Sequence, residues 1–126
     1  MEVVAALKLL RSAGVTFVLV GEIAEVLHGS PILPTAGRVT IVPRDGEDDR
    51  LAAAIADAGG QRLELPRIVP IEATRWRLER YGVELVVEPR PAGTRGYEDL
   101  RRDARELPVG DDLVVPVASL LDLMRI

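Results

Sequence analysis

The segments "TFVLVGEIAEVLHG" (residues 16–29) and "RVTIVP" (residues 38–43) predict a strand, a helix and a second strand in succession. Residues 16–21 are an apolar, β-branched run that predicts a buried strand. "EIAEVLHG" then predicts a short helix that ends at Gly29, because glycine often terminates helices. "RVTIV" (residues 38–42) predicts a second strand, closed by Pro43. Strands that alternate with a helix in this way indicate a sheet with helices packed on it.

The rest of the chain extends the same alternation. A helix is predicted over residues 2–13, because Val3, Val4, Leu7 and Leu10 recur at helical spacing. The further predicted elements are a loop over 30–37, a helix over 48–60, a hairpin over 74–89 with its turn near Tyr81-Gly82, a helix over 96–106, a hairpin around Gly110-Asp111, and a last helix that Ser119 caps with Asp122 as its capping-box partner. The predicted fold class is therefore α/β (α+β), a mixed β-sheet flanked by helices in one domain over residues 1–126.

The amino-acid composition excludes several classes of protein and of binding site. The 126 residues are 48% hydrophobic and 29% charged, which is typical of a globular protein. Cysteine is absent, which excludes disulfides and thiolate metal sites. The net charge of −4 argues against a general electrostatic grip on nucleic acid. No apolar run reaches bilayer-spanning length and the start carries no secretory pattern, so we expect a cytoplasmic protein that does not bind membranes.

Four segments in order resemble a known enzyme superfamily. They are "GVTFVLVGEIAEVLHGSP" (14–31), "RVTIVP" (38–43), "YGVELVVEPRPAGTRGYEDLRRDA" (81–104) and "VPVASLLDL" (115–123). Together they resemble the DNA polymerase β-type nucleotidyltransferases, and most closely the small bacterial AbiEii-like or minimal nucleotidyltransferase proteins. The resemblance implies a nucleotidyltransferase-like fold. It also implies transfer of a nucleoside monophosphate from a nucleoside triphosphate (NTP) to a hydroxyl group.

The resemblance also implies where the site lies. Members of the superfamily have a Gly-Gly or Gly-Ser turn after the first strand, and here Gly21 and Glu22 take those places. Their Asp-x-Asp pair, which binds two divalent cations, falls on Arg38 and Thr40, and a third carboxylate falls on Val86. Magnesium in such sites is held by carboxylate oxygens. We therefore expect no catalytic residue, no metal site and no cofactor at these degenerate positions, with magnesium required only if the chain is an active enzyme.

The principal functional prediction is a catalytically degenerate module that binds a protein partner or another copy of itself. Trp76, Leu121 and Met124 are the candidate interface residues, since exposed apolar and tryptophan side chains mark contact surfaces. The exposed edges of the predicted hairpins are a further candidate surface. For Trp76, packing in or near the core is the competing interpretation.

Two alternative functions remain open. In the first, Gly21, Glu22, Ser30 and Arg38 bind an NTP, and Arg38 supplies the positive charge that magnesium would otherwise provide. The competing interpretation of Arg38 is a solvated residue at the start of a strand. In the second, the chain is an active transferase of the toxin–antitoxin or resistance type, with displaced carboxylates.

The displaced carboxylates of the second alternative would be Glu22, Glu84 and Glu88, and the competing interpretation of these is a solvated acidic rim. Two further residues carry structural predictions. His28 is predicted to sit at a helix C-terminus, where the helix dipole favours it. Arg75 is predicted to lie on a solvated basic strand face, opposite the face of Trp76.

Overall fold

The computed structural model describes residues 2–29, 37–64, 73–110 and 112–126. The helices in these ranges are α1 (Glu2–Ser12), α2 (Gly21–Gly29), α3 (Asp48–Asp57), α4 (Tyr97–Arg101) and α5 (Leu120–Arg125). The strands are β1 (Phe17–Val20), β2 (Arg38–Pro43), β3 (Gly60–Leu63), β4 (Thr74–Leu78), β5 (Val83–Val87), β6 (Arg105–Val109) and β7 (Leu113–Val117). The predicted loop over 30–37, apart from residue 37, and Asp111 of the predicted turn lie outside the described residues.

The seven described strands form one mixed sheet in the order β3-β4-β5-β2-β1-β7-β6. β1 runs antiparallel to β2 and parallel to β7, while β2 runs parallel to β5. The hairpins β3–β4, β4–β5 and β6–β7 are antiparallel. The four central strands are rich in buried valine, isoleucine and leucine, as expected for strands that are covered on both faces.

One face of the sheet carries the main core. Val39 and Ile41 of β2 and Leu85 of β5 point to this face and are at most 1% exposed. Apolar residues of α1, α2 and α3 pack against them, including Leu7 and Leu10 of the predicted α1 stripe. The periodicity of residues 2–13 therefore predicted both the helix and its buried side.

The opposite face carries a smaller core. Val18 and Val20 of β1 and Val42 of β2 pack there with Leu100 of α4 and Ala118 after β7. These residues alternate with those of the main core along each strand, because successive side chains point to opposite faces. α4 and α5 thus lie on the face of the sheet that also carries the candidate site.

Two predicted helices are shorter in the structure, and one strand was not predicted. The helix predicted over 48–60 ends at Asp57, because Gly59 has a φ of +70° and Gly60 pairs with Leu78 in the sheet. The helix predicted over 96–106 ends at Arg101, because Arg105 pairs with Val117. In both places, pairing with a neighbouring strand overrides local helix preference.

The predicted hairpin over 74–89 is confirmed, but its edges are not exposed. β4 pairs with β3 and β5 pairs with β2, so neither strand lies at the edge of the sheet formed by the described residues. The predicted last hairpin is also present, as β6 and β7. β6 lies at the edge of the sheet formed by the described residues, so the predicted edge strand belongs to the last hairpin and not to the 74–89 hairpin.

One of the two hydrogen bonds of the predicted capping box of the last helix is present. The Ser119 hydroxyl accepts a hydrogen bond from the Asp122 backbone N–H at 3.1 Å, as a helix cap requires. The Asp122 carboxylate does not return to Ser119; it accepts from Nε of Arg125 at 3.0 Å. Among the described residues, no helix combines the length and apolar character needed to cross a bilayer.

Candidate functional site

The turn between β1 and α2 forms one side of the candidate site. Gly21 has a φ of +79°, which lies in the left-handed region that is unfavourable for residues with a Cβ atom. A Cβ on Gly21 would lie 3.1 Å from Oγ1 of Thr40. Val20 is paired with Thr40 across the strands, which holds the turn against that hydroxyl. The sequence therefore needs glycine here both for the backbone angle and for the close approach.

The parallel pair β2 and β5 forms the floor of the site. Thr40 pairs with Val86, and Arg38 pairs with Glu84. All four side chains lie on the face of the smaller core, because Thr40 and Val42 are two residues apart on one strand. The structure thus brings together Arg38, Thr40 and Val86, the three positions that the resemblance associates with metal ligands, next to the Gly21 turn.

A charge network crosses the rim of this floor. Arg75 of β4 donates to both carboxylate oxygens of Glu84, from Nε at 3.0 Å and from a terminal nitrogen at 2.7 Å. Arg38 donates from Nε to the same carboxylate at 3.2 Å. The Arg75 hydrogen bond, and after it that of Arg38, lowers the pKa of Glu84, while Glu84 raises the pKa of Arg75. The two arginines outweigh the single carboxylate, so the triad carries a net positive charge.

The two arginines differ in how firmly they are held. The side chains of Arg75 and Glu84 are 26% and 23% exposed, whereas that of Arg38 is 58% exposed. Arg75 makes the bidentate contact that guanidinium and carboxylate groups favour, and Arg38 makes a single longer one. Arg75 therefore neutralises Glu84, and most of the Arg38 side chain is exposed to solvent.

The side chains at the three superfamily positions do not fit magnesium. Magnesium prefers oxygen ligands and is usually held by one or two carboxylates. Arg38 offers a cation, Thr40 a hydroxyl and Val86 only methyl groups. Across the described parts of the chain, no group of three or more His, Cys, Asp or Glu side chains is placed to hold a metal ion.

The three glutamates proposed as displaced metal ligands lie in three different environments. Glu22 is exposed in the first turn of α2, where a carboxylate favours the helix dipole. Glu84 is bound by arginines. Glu88 is half-buried just after β5, and its burial raises its pKa. The structure does not gather these three carboxylates into one cluster.

The other residues predicted from sequence take structural positions, except Ser30, which lies outside the described residues. His28 Nε2 donates to the Ala118 carbonyl at 2.7 Å and ties the end of α2 to the end of β7. Trp76 is half-buried against the main core, and its indole N–H donates to Oγ1 of Thr74 at 3.0 Å. Arg62 lies over the Trp76 ring, 5.9 Å from its centre.

The two apolar interface candidates on α5 are strongly exposed. Leu121 and Met124 are 77% and 80% exposed, and Leu120 beside them is 56% exposed. α5 packs instead through Leu123 and through the Asp122 side. The exposed side of α5 therefore carries adjacent apolar side chains, and its role as a contact surface stays a prediction.

A second charge network, which the sequence did not predict, fixes α5 to α4. The Asp99 carboxylate accepts from the Arg95 backbone N–H at 2.9 Å, from Arg102 at 2.7 Å and from Arg125 at 3.1 Å. These donors lower the pKa of Asp99 to about 2, the backbone hydrogen bond contributing most. Arg125 also binds Asp122, so one guanidinium joins the two helices.

Comparisons with known proteins support the fold. No protein-family model matches the chain, and no curated protein matches it. A solved structure, the lincomycin-bound crystal structure of the lincosamide antibiotic adenylyltransferase LnuA, is similar with a TM-score of 0.68 and 19% sequence identity. The similarity covers 98% of this chain and 82% of that one. The mixed sheet flanked by helices thus has a nucleotidyltransferase-like fold, as the sequence predicted.

Proposed function

We propose that this chain is a catalytically degenerate nucleotidyltransferase-fold protein that binds an NTP without transferring its nucleotide. The observation that carries the proposal is the Arg38–Glu84–Arg75 triad, because Arg38 lies two residues along β2 from Thr40, which lies against the Gly21 turn. Arg75 occupies both oxygens of Glu84 and offsets its charge. The exposed Arg38 guanidinium then supplies positive charge and hydrogen-bond donors suited to phosphate oxygens.

The Gly21 turn supplies the second half of the proposed phosphate site. The first backbone N–H groups of a helix lack partners within the helix, and they carry the positive end of its dipole. Gly21 begins α2, and Thr40 lies against it. An NTP is the phosphate compound to test first, because the similar solved structure is that of an adenylyltransferase.

Calorimetric titration with ATP, GTP, CTP and UTP, with and without magnesium, tests this proposal. We expect binding that changes little when magnesium is removed, because the Arg38 guanidinium takes the place of the cation. Arg38→Gln is expected to weaken binding by about 10- to 100-fold, since it removes charge-assisted hydrogen bonds worth about 1.5–3 kcal/mol. The fold should persist in this variant, because Arg75 keeps Glu84 paired.

The matched control is Arg44→Gln, which changes an exposed arginine just beyond the opposite end of β2. Its NTP affinity should equal that of the unchanged chain. Binding that requires magnesium would contradict the proposal, as would transfer of label from an α-labelled NTP. Either result would favour an active transferase with carboxylates that the described residues do not gather.

The exposed side of α5 supports a second candidate function, self-association. Leu120, Leu121 and Met124 present adjacent apolar side chains, and burying them between two copies would remove that surface from water. Trp76 is not part of this surface, since it packs against its own core.

Light scattering coupled to size exclusion measures the self-association directly. We expect the unchanged chain to dimerise as its concentration rises, and Leu121→Glu with Met124→Glu to remain monomeric. Val114→Glu, which alters an exposed apolar residue on β7, is the matched control and should still dimerise. A monomer at every concentration in the unchanged chain would rule this candidate out.

A further inference from the structure

A cavity of about 480 Å³ opens at the far end of β1 from the Gly21 turn. It lies between the end of α1, the start of β1 and α4, with β6 and β7 on one side. Its volume falls in the range of roughly 300–1,000 Å³ that is typical of small-molecule sites. The proposed NTP site does not account for this cavity, because Arg11 and Thr16 line it and neither Gly21 nor Arg38 does.

The cavity has an apolar wall. Ala104 is partly exposed and packs on the smaller core from the segment after α4. Pro116 of β7 contributes a further apolar side chain to the lining. A ring or short hydrocarbon body placed against these residues would lose contact with water, which favours binding by roughly 25 cal/mol per Å² of apolar surface covered.

Two arginines line the cavity from different elements. Arg11 comes from the last turn of α1, and Arg101 from α4. Nε of Arg101 donates to Glu98 at 2.8 Å, which fixes its position and leaves its terminal nitrogens for another acceptor. Within the described part of the chain, Arg11 forms no ion pair or side-chain hydrogen bond.

Two more polar residues of the lining restrict which kinds of ligand fit the cavity. Tyr97 lines the cavity, and its hydroxyl forms no hydrogen bond with another described residue. Glu106 of β6 places one negative charge in the lining. Glu98 offsets Arg101 and Glu106 adds a second negative charge, so a ligand with a single anionic group fits this nearly balanced lining better than a polyanion such as a triphosphate.

We propose that this cavity binds a small organic monocarboxylate, with its carboxylate on Arg11 and Arg101 and its apolar body against Ala104 and Pro116. Tyr97 is placed to add a hydrogen bond to the same ligand. This inference concerns a different place on the molecule from the proposed NTP site. It does not depend on the proposed function.

Titration of the ¹⁵N-labelled chain with benzoate, followed by NMR, tests the proposal. We expect saturable shifts of the amides of Val18, Tyr97 and Ala104. Arg11→Gln and Arg101→Gln should each weaken benzoate binding by about tenfold, because each removes a charge-assisted hydrogen bond. Benzyl alcohol, which has the same ring without the charge, should bind at least about tenfold more weakly for the same reason.

Two control variants and a test of folding accompany this titration. Arg105→Gln changes an exposed arginine adjacent to Glu106 that does not line the cavity, and it should bind benzoate as the unchanged chain does. Arg38→Gln should also leave benzoate binding unchanged, which separates this site from the proposed NTP site. Equal binding of benzyl alcohol and benzoate, or unchanged affinity in both Arg11→Gln and Arg101→Gln, would overturn the proposal. The melting temperatures of these exposed-residue variants confirm that each one is folded.

Discussion

Replacing Gly21 with alanine is expected to lower the free energy of unfolding by about 2 to 5 kcal/mol. A non-glycine residue in the left-handed conformation of Gly21, with a φ of +79°, costs about 1–2 kcal/mol. The new Cβ would lie 3.1 Å from Oγ1 and 3.2 Å from Cβ of Thr40, and such crowding costs about 1–3 kcal/mol more. Urea unfolding followed by circular dichroism measures the loss.

The same substitution is expected to weaken NTP binding by about tenfold or more, because relief of the contact with Thr40 moves the first amides of α2. Gly82→Ala is the matched control. Gly82 has a φ of +67°, and a Cβ there meets no atom within 4 Å. Gly82→Ala should lower the free energy of unfolding by only about 1–2 kcal/mol, the cost of the left-handed backbone conformation, and should leave NTP affinity unchanged.

The comparison of these two variants separates two claims. Equal losses of stability would show that the approach of Gly21 to Thr40 has no energetic consequence. Unchanged NTP affinity in Gly21→Ala, at a concentration where the variant is folded, would show that the turn does not bind phosphate. The second result would count against the proposed function and leave the fold untouched.

The central strands could be predicted from sequence, whereas β3 could not. β1 has the sequence pattern of a strand because its side chains are apolar on both faces, which reflects its burial between two helical layers. β5 has one because Val83, Leu85 and Val87 alternate with Glu84 and Val86. β3 has the sequence "GQRL", which carries no strand pattern. It forms because the chain reverses at Gly59 and Arg62 pairs with Trp76, and local preference does not encode such a pairing.

The candidate site was predicted in part. The resemblance placed Arg38, Thr40 and Val86 at one site, and the sheet register brings these residues together. The part played by Arg75 was missed, since the sequence suggested only a solvated basic face. Strand alternation did put Arg75 and Glu84 on one face, and that was the available signal. The diagonal contact itself depends on the register of β4 against β5, which a single sequence does not fix.

The hydrogen-bond partner of the Asp122 carboxylate was also hard to predict, because it depends on tertiary packing. Asp122 was expected to complete a capping box with Ser119, and its spacing supports that expectation. Its carboxylate instead binds Arg125, which also reaches Asp99 of α4. The choice depends on where α4 packs beside α5, and this position follows from the tertiary fold.

Arg75→Gln is expected to lower the free energy of unfolding by about 1–3 kcal/mol at neutral pH. This range lies between the small value of an exposed ion pair, about 0–1 kcal/mol, and the loss of about 3–5 kcal/mol on breaking a buried one. The pair is intermediate, with side chains 26% and 23% exposed. Arg77→Gln is the matched control, because Arg77 is exposed on the same strand and meets Glu79 only at 3.8 Å. It should change stability by less than about 0.5 kcal/mol.

The destabilisation by Arg75→Gln should also depend on pH, with a sign set by Glu84. Arg75 holds the pKa of Glu84 below its ordinary value of 4.5, so the folded state keeps this charge to lower pH than the unfolded chain does. The resulting stability is present above that value and is lost as the pH falls through the lowered pKa. Urea unfolding between neutral pH and acid should therefore show the two proteins converging below the ordinary glutamate pKa. In a Glu84→Gln background, Arg75→Gln should have little effect; a difference that persists there, or that ignores pH, would mean that Arg75 stabilises the sheet by packing alone.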